Sequence, residues 1–159
     1  MGKDIHVRII KRNRNKNVWE EVKLYYKENG NLKDASIYPG RNYDLFDILG
    51  NKNNDDFLNT RPIFEPDLPE DLKEEIKIYQ NSIGFYDFKE INLADLKIYL
   101  HHMPKIIKSY GYEEEDDPNT MKDNPVKYFI ERIEYYLDFA DVYDFLPPSD
   151  IKIIYWFDR

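Results

Sequence analysis

The side chains that could carry acid–base or metal chemistry are few, and they lie far apart along the chain. They are Asp4 and His6, then Arg41, Asn42 and Asp44, and finally Asp158. A carboxylate pair with a histidine can bind a divalent cation or exchange protons with a substrate. The competing interpretation is structural, with Arg41 paired to a carboxylate and Asn42 or Asp44 capping a helix. Either arrangement requires elements that bring the two ends of the chain together.

Other familiar reaction centres are not indicated by the sequence. His101 and His102 are adjacent on a predicted helix, about 100° apart around its axis, so they do not face one metal ion. The sequence contains no glycine-rich phosphate loop, no G-x-S-x-G elbow and no H-E-x-x-H. Zero cysteines exclude disulfides, thiolate metal sites and cysteine nucleophiles. We therefore expect no catalytic residues, metal or cofactor.

The balance of charge indicates which partners the chain could bind. It has 31 acidic and 23 basic residues, a net charge of −8, which disfavours direct binding to nucleic acid or to an anionic membrane. This charge suits a partner with a basic surface, although it can also serve only solubility. The 14 tyrosines add side chains that are favoured in protein interfaces.

Two groups of carboxylates are the candidate partner-binding residues. The first is the run Glu113, Glu114, Glu115, Asp116 and Asp117, which is predicted to be a solvated loop and lacks the residues of a calcium-binding loop. The second is Glu131, Glu134, Asp138 and Asp141, which are spaced 3, 4 and 3 residues apart. This spacing places them along one flank of a predicted helix, either as a solvated face or as an imitation of a row of phosphates.

The strands that must position these residues are predicted from alternation. Residues 4–10 place Ile5, Val7 and Ile9 on one sheet face and leave the other face wet or functional. Residues 18–26 complete a hairpin with this strand, and residues 32–38 give a weaker edge strand. The stretch 151–157 is apolar on both faces, which predicts a central strand.

Four helices are predicted from apolar spacing and from turn residues. A short helix follows Pro39-Gly40, with Gly50 placed to end it, and longer helices cover 69–80, 92–110 and 125–145. Pro104 predicts a kink or break near residues 101–103. Residues 51–68 are predicted to be an irregular loop, and 84–91 a short strand or extended segment. The sequence thus predicts one α+β domain spanning 1–159, with an antiparallel or mixed sheet.

Three segments resemble a family of small uncharacterised bacteriophage proteins. Those proteins begin with M-G-x-D-I-H, contain G-R-N-Y-D-L-F-x-I-L and end in a strand reading W-F-D. Here the corresponding segments are 1–6, 40–49 and 155–158. The family pattern also implies a histidine-bearing H-S-x-S-W segment, whereas residues 84–96 contain no histidine. If that family has a metal or catalytic centre, this chain lacks part of it.

The length, acidity and aromatic content are also similar to those of a staphylococcal type II anti-CRISPR protein, an inhibitor of Cas9. The similarity implies a partner, either Cas9 or the Cas9–guide RNA complex, that offers basic channels for nucleic acid. The first hypothesis is therefore a stoichiometric Cas9 inhibitor in the cytoplasm of the bacterial host. The alternative is a phage enzyme or binder of a metal or small ligand that uses the Asp/His/Arg cluster. Neither hypothesis involves a membrane, since no apolar run approaches the roughly 18 residues of a span.

Overall fold

Four strands come first along the chain, and helices and further strands follow them. They are seen in a computed structural model that describes residues 4–23, 25–34, 43–51, 58–109, 124–139 and 146–158. The strands are β1 (Ile5–Asn13), β2 (Val18–Glu21), β3 (Tyr25–Glu28), β4 (Asn31–Asp34), β5 (Arg61–Pro62), β6 (Phe85–Asn92) and β7 (Ile151–Asp158). The helices are α1 (Tyr43–Leu49), α2 (Glu70–Gln80), α3 (Leu93–Ser109) and α4 (Pro125–Phe139). None of the helices in these ranges is both long enough and apolar enough to cross a bilayer.

Five of the strands form one antiparallel sheet in the order β2-β1-β7-β6-β5. The first and last strands pair along their length, from Ile5 opposite Phe157 to Lys11 opposite Ile151. This confirms the α+β class, the hairpin of β1 with β2, and the central place of the last strand. The predicted strand 18–26 is wrong as a single element, because β2 ends at Glu21 and β3 belongs to a separate two-stranded sheet with β4.

Helices cover both faces of the five-stranded sheet, and we name each face after them. On the α3/α4 face, Ile5, Val7 and Ile9 of β1 pack in one core with side chains from α1, α3 and α4. On the α2 face, Leu72 and Ile76 of α2 pack in a second core, together with the sheet residues Ile10, Ile154 and Trp156. The strand β7 serves both cores, which explains why it lacks apolar–polar alternation.

The face of β1 predicted to be wet or functional is the α2 face. The His6 ring centroid lies 5.3 Å from that of Tyr79, and Arg8 donates a 2.6 Å hydrogen bond to Glu75. Both contacts are to residues of α2. The prediction of a face covered by water alone is therefore wrong, whereas a functional role for it is not tested. Alternation reports only that a face is less apolar. Alternation does not distinguish a face covered by water from a face covered by a helix whose side chains bond to its polar residues.

Local chemistry explains where the helices begin and end. The predicted cap Asn92 accepts a 2.8 Å hydrogen bond from the Ala94 N–H at the start of α3. Asn124 caps α4 in the same way, accepting from the N–H groups of Val126 and Lys127 at 3.0 and 3.2 Å. After α1 the left-handed residue is Asn51, with φ of 51°, rather than the predicted Gly50.

Three further predictions have an outcome in the described residues. The helix α3 is continuous from Leu93 to Ser109, so the chain does not break at Pro104. Residues 85–92 form a full strand, with a bulge between Tyr86 and Lys89. The predicted loop 51–68 contains β5 and a 3₁₀ turn at Glu65–Asp67. Residues 110–123 and 140–145 lie outside the described ranges, so the predicted helix end near 145 does too.

A buried hydrogen bond joins α1 to the central strand. The Tyr155 hydroxyl donates to the Leu49 carbonyl at 2.6 Å, and both residues are fully buried. Burial, and secondly the charge of Asp87, raise the pKa of the Tyr155 phenol far above its ordinary value of 10.0. The folded state therefore holds the neutral phenol, whereas the unfolded chain releases this proton above about pH 10.

We expect the free energy of unfolding to fall more steeply above pH 10 in the native chain than in Tyr155→Phe. Because the pKa is raised by folding, the contribution is complete below pH 10 and declines by up to about 1.4 kcal/mol per pH unit above it. At neutral pH the variant should lose about 1–3 kcal/mol, since the Leu49 carbonyl loses its buried donor. Urea unfolding between pH 8 and 11 measures both effects. The other tyrosines titrate in both proteins, so equal slopes would refute the assignment.

Candidate functional site

The cluster predicted from the two ends of the chain forms in part. Asp158 accepts a 2.9 Å hydrogen bond from the Asp4 N–H at Oδ1, and its Oδ2 lies 3.0 Å from His6 Nε2. The Asp158 N–H donates in turn to the Asp4 carbonyl at 3.0 Å. Asp158 therefore fastens the beginning of β1 to the end of β7.

The remaining members of that predicted cluster cannot be placed in it. Arg41 and Asn42 lie outside the described residues. Asp44 lies within α1, but only its backbone is described, so neither the capping role nor the ion pair is tested. The part of the cluster that the structure brings together is Asp4, His6 and Asp158.

Aromatic rings surround His6 on the α2 face. Its ring stacks on Trp156 at 5.4 Å with an interplanar angle of 6°, and the Phe85 ring centroid lies at 5.8 Å. Phe85 belongs to the segment 84–96, where the phage-family pattern implies histidines. In the described part of the chain, no group of three His, Asp or Glu residues is placed to hold a metal ion. These contacts suit a packed, hydrogen-bonded imidazole that remains one-quarter exposed.

The outer face of α4 alternates tyrosines and acids. Tyr128, Glu131, Tyr135 and Asp138 follow one another at spacings of 3, 4 and 3, and all four are exposed. Tyr128 and Tyr135 expose 52% and 63% of their surface, which is high for aromatic side chains. We call this set the α4 row.

Two of the carboxylates predicted to form an acidic flank on this helix are in ion pairs with lysines. Glu134 lies 2.5 Å from Lys97 of α3, and Glu131 lies 3.9 Å from Lys127. Glu134 thus joins two helices and is not part of the α4 row. The other predicted partner-binding acids, Asp141 and the run 113–117, lie outside the described residues.

A polar cavity of about 120 Å³ lies at the edge of the sheet beside the start of α3. Its wall consists of Asn59, Arg61, Glu90, Ile91, Asn92, Asp95 and Lys152. Strands β5, β6 and β7 supply most of these residues, and the first turn of α3 supplies Asp95. We call it the Glu90 cavity.

Partly buried ion pairs border the Glu90 cavity. Lys152 Nζ lies 2.8 Å from Asp67 Oδ2 and 3.4 Å from Glu90 Oε1, and it lies 4.7 Å above the Trp19 ring. Glu90 is only 5% exposed, and its second oxygen, Oε2, has no hydrogen-bond partner among the described residues. Arg61 lies directly opposite Glu90 in the β5–β6 pairing.

None of the cavity residues was predicted to be functional from the sequence. One signal was present, because Lys152 interrupts the apolar strand 151–157 and a lysine in a central strand needs a buried anionic partner. The identity of that partner could not be read from the sequence. Glu90 belongs to a segment without clean alternation, since the bulge near Asp87 shifts its register.

Comparison with protein-family models, curated proteins and solved structures found no match to this chain. The resemblance to bacteriophage and anti-CRISPR proteins therefore stays a prediction from the sequence.

We expect Asp158→Ala to lower the free energy of unfolding by about 1–3 kcal/mol, because it removes the acceptor for the Asp4 N–H and the partner of His6. Asp138→Ala is the matched control, since this exposed carboxylate should change stability by no more than about 0.5 kcal/mol. Urea denaturation at neutral pH compares the two. Asp158→Asn retains an acceptor for the Asp4 N–H and should lose less. An Asp158→Ala variant as stable as Asp138→Ala would contradict the fastening role.

Proposed function

We propose that this protein binds a basic surface of another protein through the outer face of α4. The observation that carries the proposal is the α4 row, in which exposed tyrosines alternate with carboxylates along a helix whose opposite face is fixed in the core. Val126, Phe129 and Ile133 supply that buried face. A helix anchored in this way presents its outer side chains in a fixed geometry, which lowers the entropic cost of binding.

The two residue types of the α4 row have different roles in the proposed interface. Tyr128 and Tyr135 offer large areas that can be buried, and such side chains often dominate the energy of an interface. Glu131 and Asp138 add negative charge to a chain whose net charge is already −8. Long-range attraction of this kind chiefly accelerates association with a basic partner.

The proposed partner is host Cas9, alone or with its guide RNA, and the proposed effect is stoichiometric inhibition of DNA cleavage. Support for this identity comes from the sequence resemblance and from charge, because Cas9 holds nucleic acid in positively charged channels. The protein would act in the bacterial cytoplasm, without a cofactor and without binding nucleic acid directly. An occupied channel would block entry of DNA.

The direct test is a cleavage assay in which purified protein is titrated against a fixed amount of Cas9–guide complex. We expect cleavage to stop near equimolar protein, as a stoichiometric inhibitor requires. Several Cas9 enzymes should be included, because specificity for one enzyme is not predicted. Unchanged cleavage by all of them at large molar excess would refute inhibition of Cas9.

Variants of the α4 row test the binding surface. We expect Tyr135→Ala to raise the concentration for half-maximal inhibition about tenfold or more, as loss of a central interface tyrosine does. Glu131→Lys should also weaken inhibition, and most strongly at low salt. The matched controls on α2 are Ile78→Ala, which removes a side chain that is 68% exposed, and Glu74→Lys, which makes the same charge change. Equal effects of the α2 and α4 variants would reject this surface while leaving inhibition itself intact.

A second candidate function is an enzyme or small-ligand binder that uses His6 and Asp158. The 3.0 Å contact between them is the observation in its favour, since a carboxylate can orient an imidazole for proton transfer. His6→Asn distinguishes the candidates. A binding protein should retain full inhibition in this variant, whereas an enzyme that uses the imidazole for proton transfer should lose turnover without losing its fold.

A further inference from the structure

The Glu90 carboxylate lacks a partner that its burial demands. Glu90 Oε1 lies 3.4 Å from Lys152 Nζ, but Oε2 is buried without a hydrogen-bond partner among the described residues. A buried charged oxygen without a donor is costly, because it has given up its hydration and gained nothing in return. Glu90 also lines a cavity, so a cationic group held there would lie beside its negative charge without touching Oε2, which solvent does not reach.

The ammonium group beside Glu90 is already shared. The single ammonium group of Lys152 lies between two carboxylates, those of Asp67 and Glu90. Elsewhere in the lining, Asp95 Oδ2 accepts a 3.0 Å hydrogen bond from the Asn59 side-chain amide. That bond is made by the Asn59 nitrogen, which leaves the amide oxygen as a further possible acceptor.

We propose that the Glu90 cavity binds one small cationic group that carries N–H donors, a guanidinium or a primary ammonium. Glu90 supplies the buried counter-charge, and Asp95 supplies a second carboxylate in the lining. The volume of about 120 Å³ far exceeds the roughly 10–15 Å³ that one water needs, so a group of several heavy atoms can enter. An anion fits less well, because it would face both carboxylates and compete with them for Lys152.

Arg61 provides a test of whether the ligand is a cation or an anion. It lines the cavity and lies directly opposite Glu90 in the strand pairing, so its positive charge opposes a cationic ligand. Removing that charge should strengthen cation binding, whereas it should abolish binding of an anion. The Arg61→Ala substitution therefore distinguishes a cationic ligand from an anionic one.

The experiment is a titration of the ¹⁵N-labelled full chain with methylguanidinium, with ethylammonium, and with acetate and phosphate as anions. Chemical-shift changes of the Asn59 and Asn92 side-chain amides report on the cavity. We expect saturable binding of the cations only. Glu90→Gln should weaken binding about tenfold or more, because the buried counter-charge is lost, and Arg61→Ala should tighten it. Glu74→Gln, which removes an exposed carboxylate on α2, is the matched control and should change nothing.

Any one of the following results would overturn the proposal. Saturable binding of the anions alone, weaker cation binding in Arg61→Ala, or unchanged affinity in folded Glu90→Gln would do so. Cation shifts that grow without saturation at every exposed carboxylate would also do so. If Glu90→Gln does not fold, Asp95→Asn decides the question, because Asp95 is only partly buried and the proposal requires severalfold weaker binding there.

A capped Gly-Arg-Gly peptide identifies the source of the cation. Tighter binding than methylguanidinium would indicate an arginine of a partner protein, and exclusion of the peptide would indicate a free small molecule. This inference does not rest on the proposed function. Cas9 cleavage is affected by the α4 row and not by Glu90 under that proposal, so either one can fail alone.

Discussion

The burial of β7 on both faces is the constraint on which the rest of the structure depends. Its alternating side chains enter two separate cores, with Tyr155 and Phe157 toward α3 and α4 and Trp156 toward α2. Each buried ring or branched side chain contributes roughly 1.5–3 kcal/mol, and six residues of this strand are buried apolar side chains. A central strand that is covered twice also requires helices on each side of the sheet. The positions of α2 and α3 therefore follow from the composition of β7.

Much of this architecture could be predicted from the sequence because its signals are local. The stretch 151–157, which is apolar on both faces, predicted the central strand, and Asn92 predicted the start of α3. What could not be predicted were contacts set by tertiary packing. His6 and Arg8 look like residues of a wet face, yet α2 offers Tyr79 and Glu75 as partners for them. The pairing of Glu90 with Lys152 joins residues 62 apart in sequence, and a bulge obscures the pattern of the strand that carries Glu90.

The two proposed functional surfaces differ in how far their carboxylates are exposed to water. On α4, carboxylates lie at the surface, where water and salt screen them, so they guide association more than they strengthen it. In the Glu90 cavity a carboxylate is withdrawn from water, where one missing partner matters far more. The net charge of −8 is compatible with both surfaces. Burial, rather than the number of acidic residues, distinguishes them.

The pairing of β1 with β7 has a consequence for how the chain reaches this state. Asp158 bonds to His6 across 152 positions of sequence, so the central ladder closes the largest loop in the described fold. Contacts between residues so far apart in sequence are entropically costly to form, and they typically slow folding. During synthesis, the hairpin of β1 and β2 emerges before β7, so one edge of β1 stays unpaired until β7 has left the ribosome. Unpaired strand edges are prone to pair with other chains, so the risk of aggregation is greatest before β7 is in place.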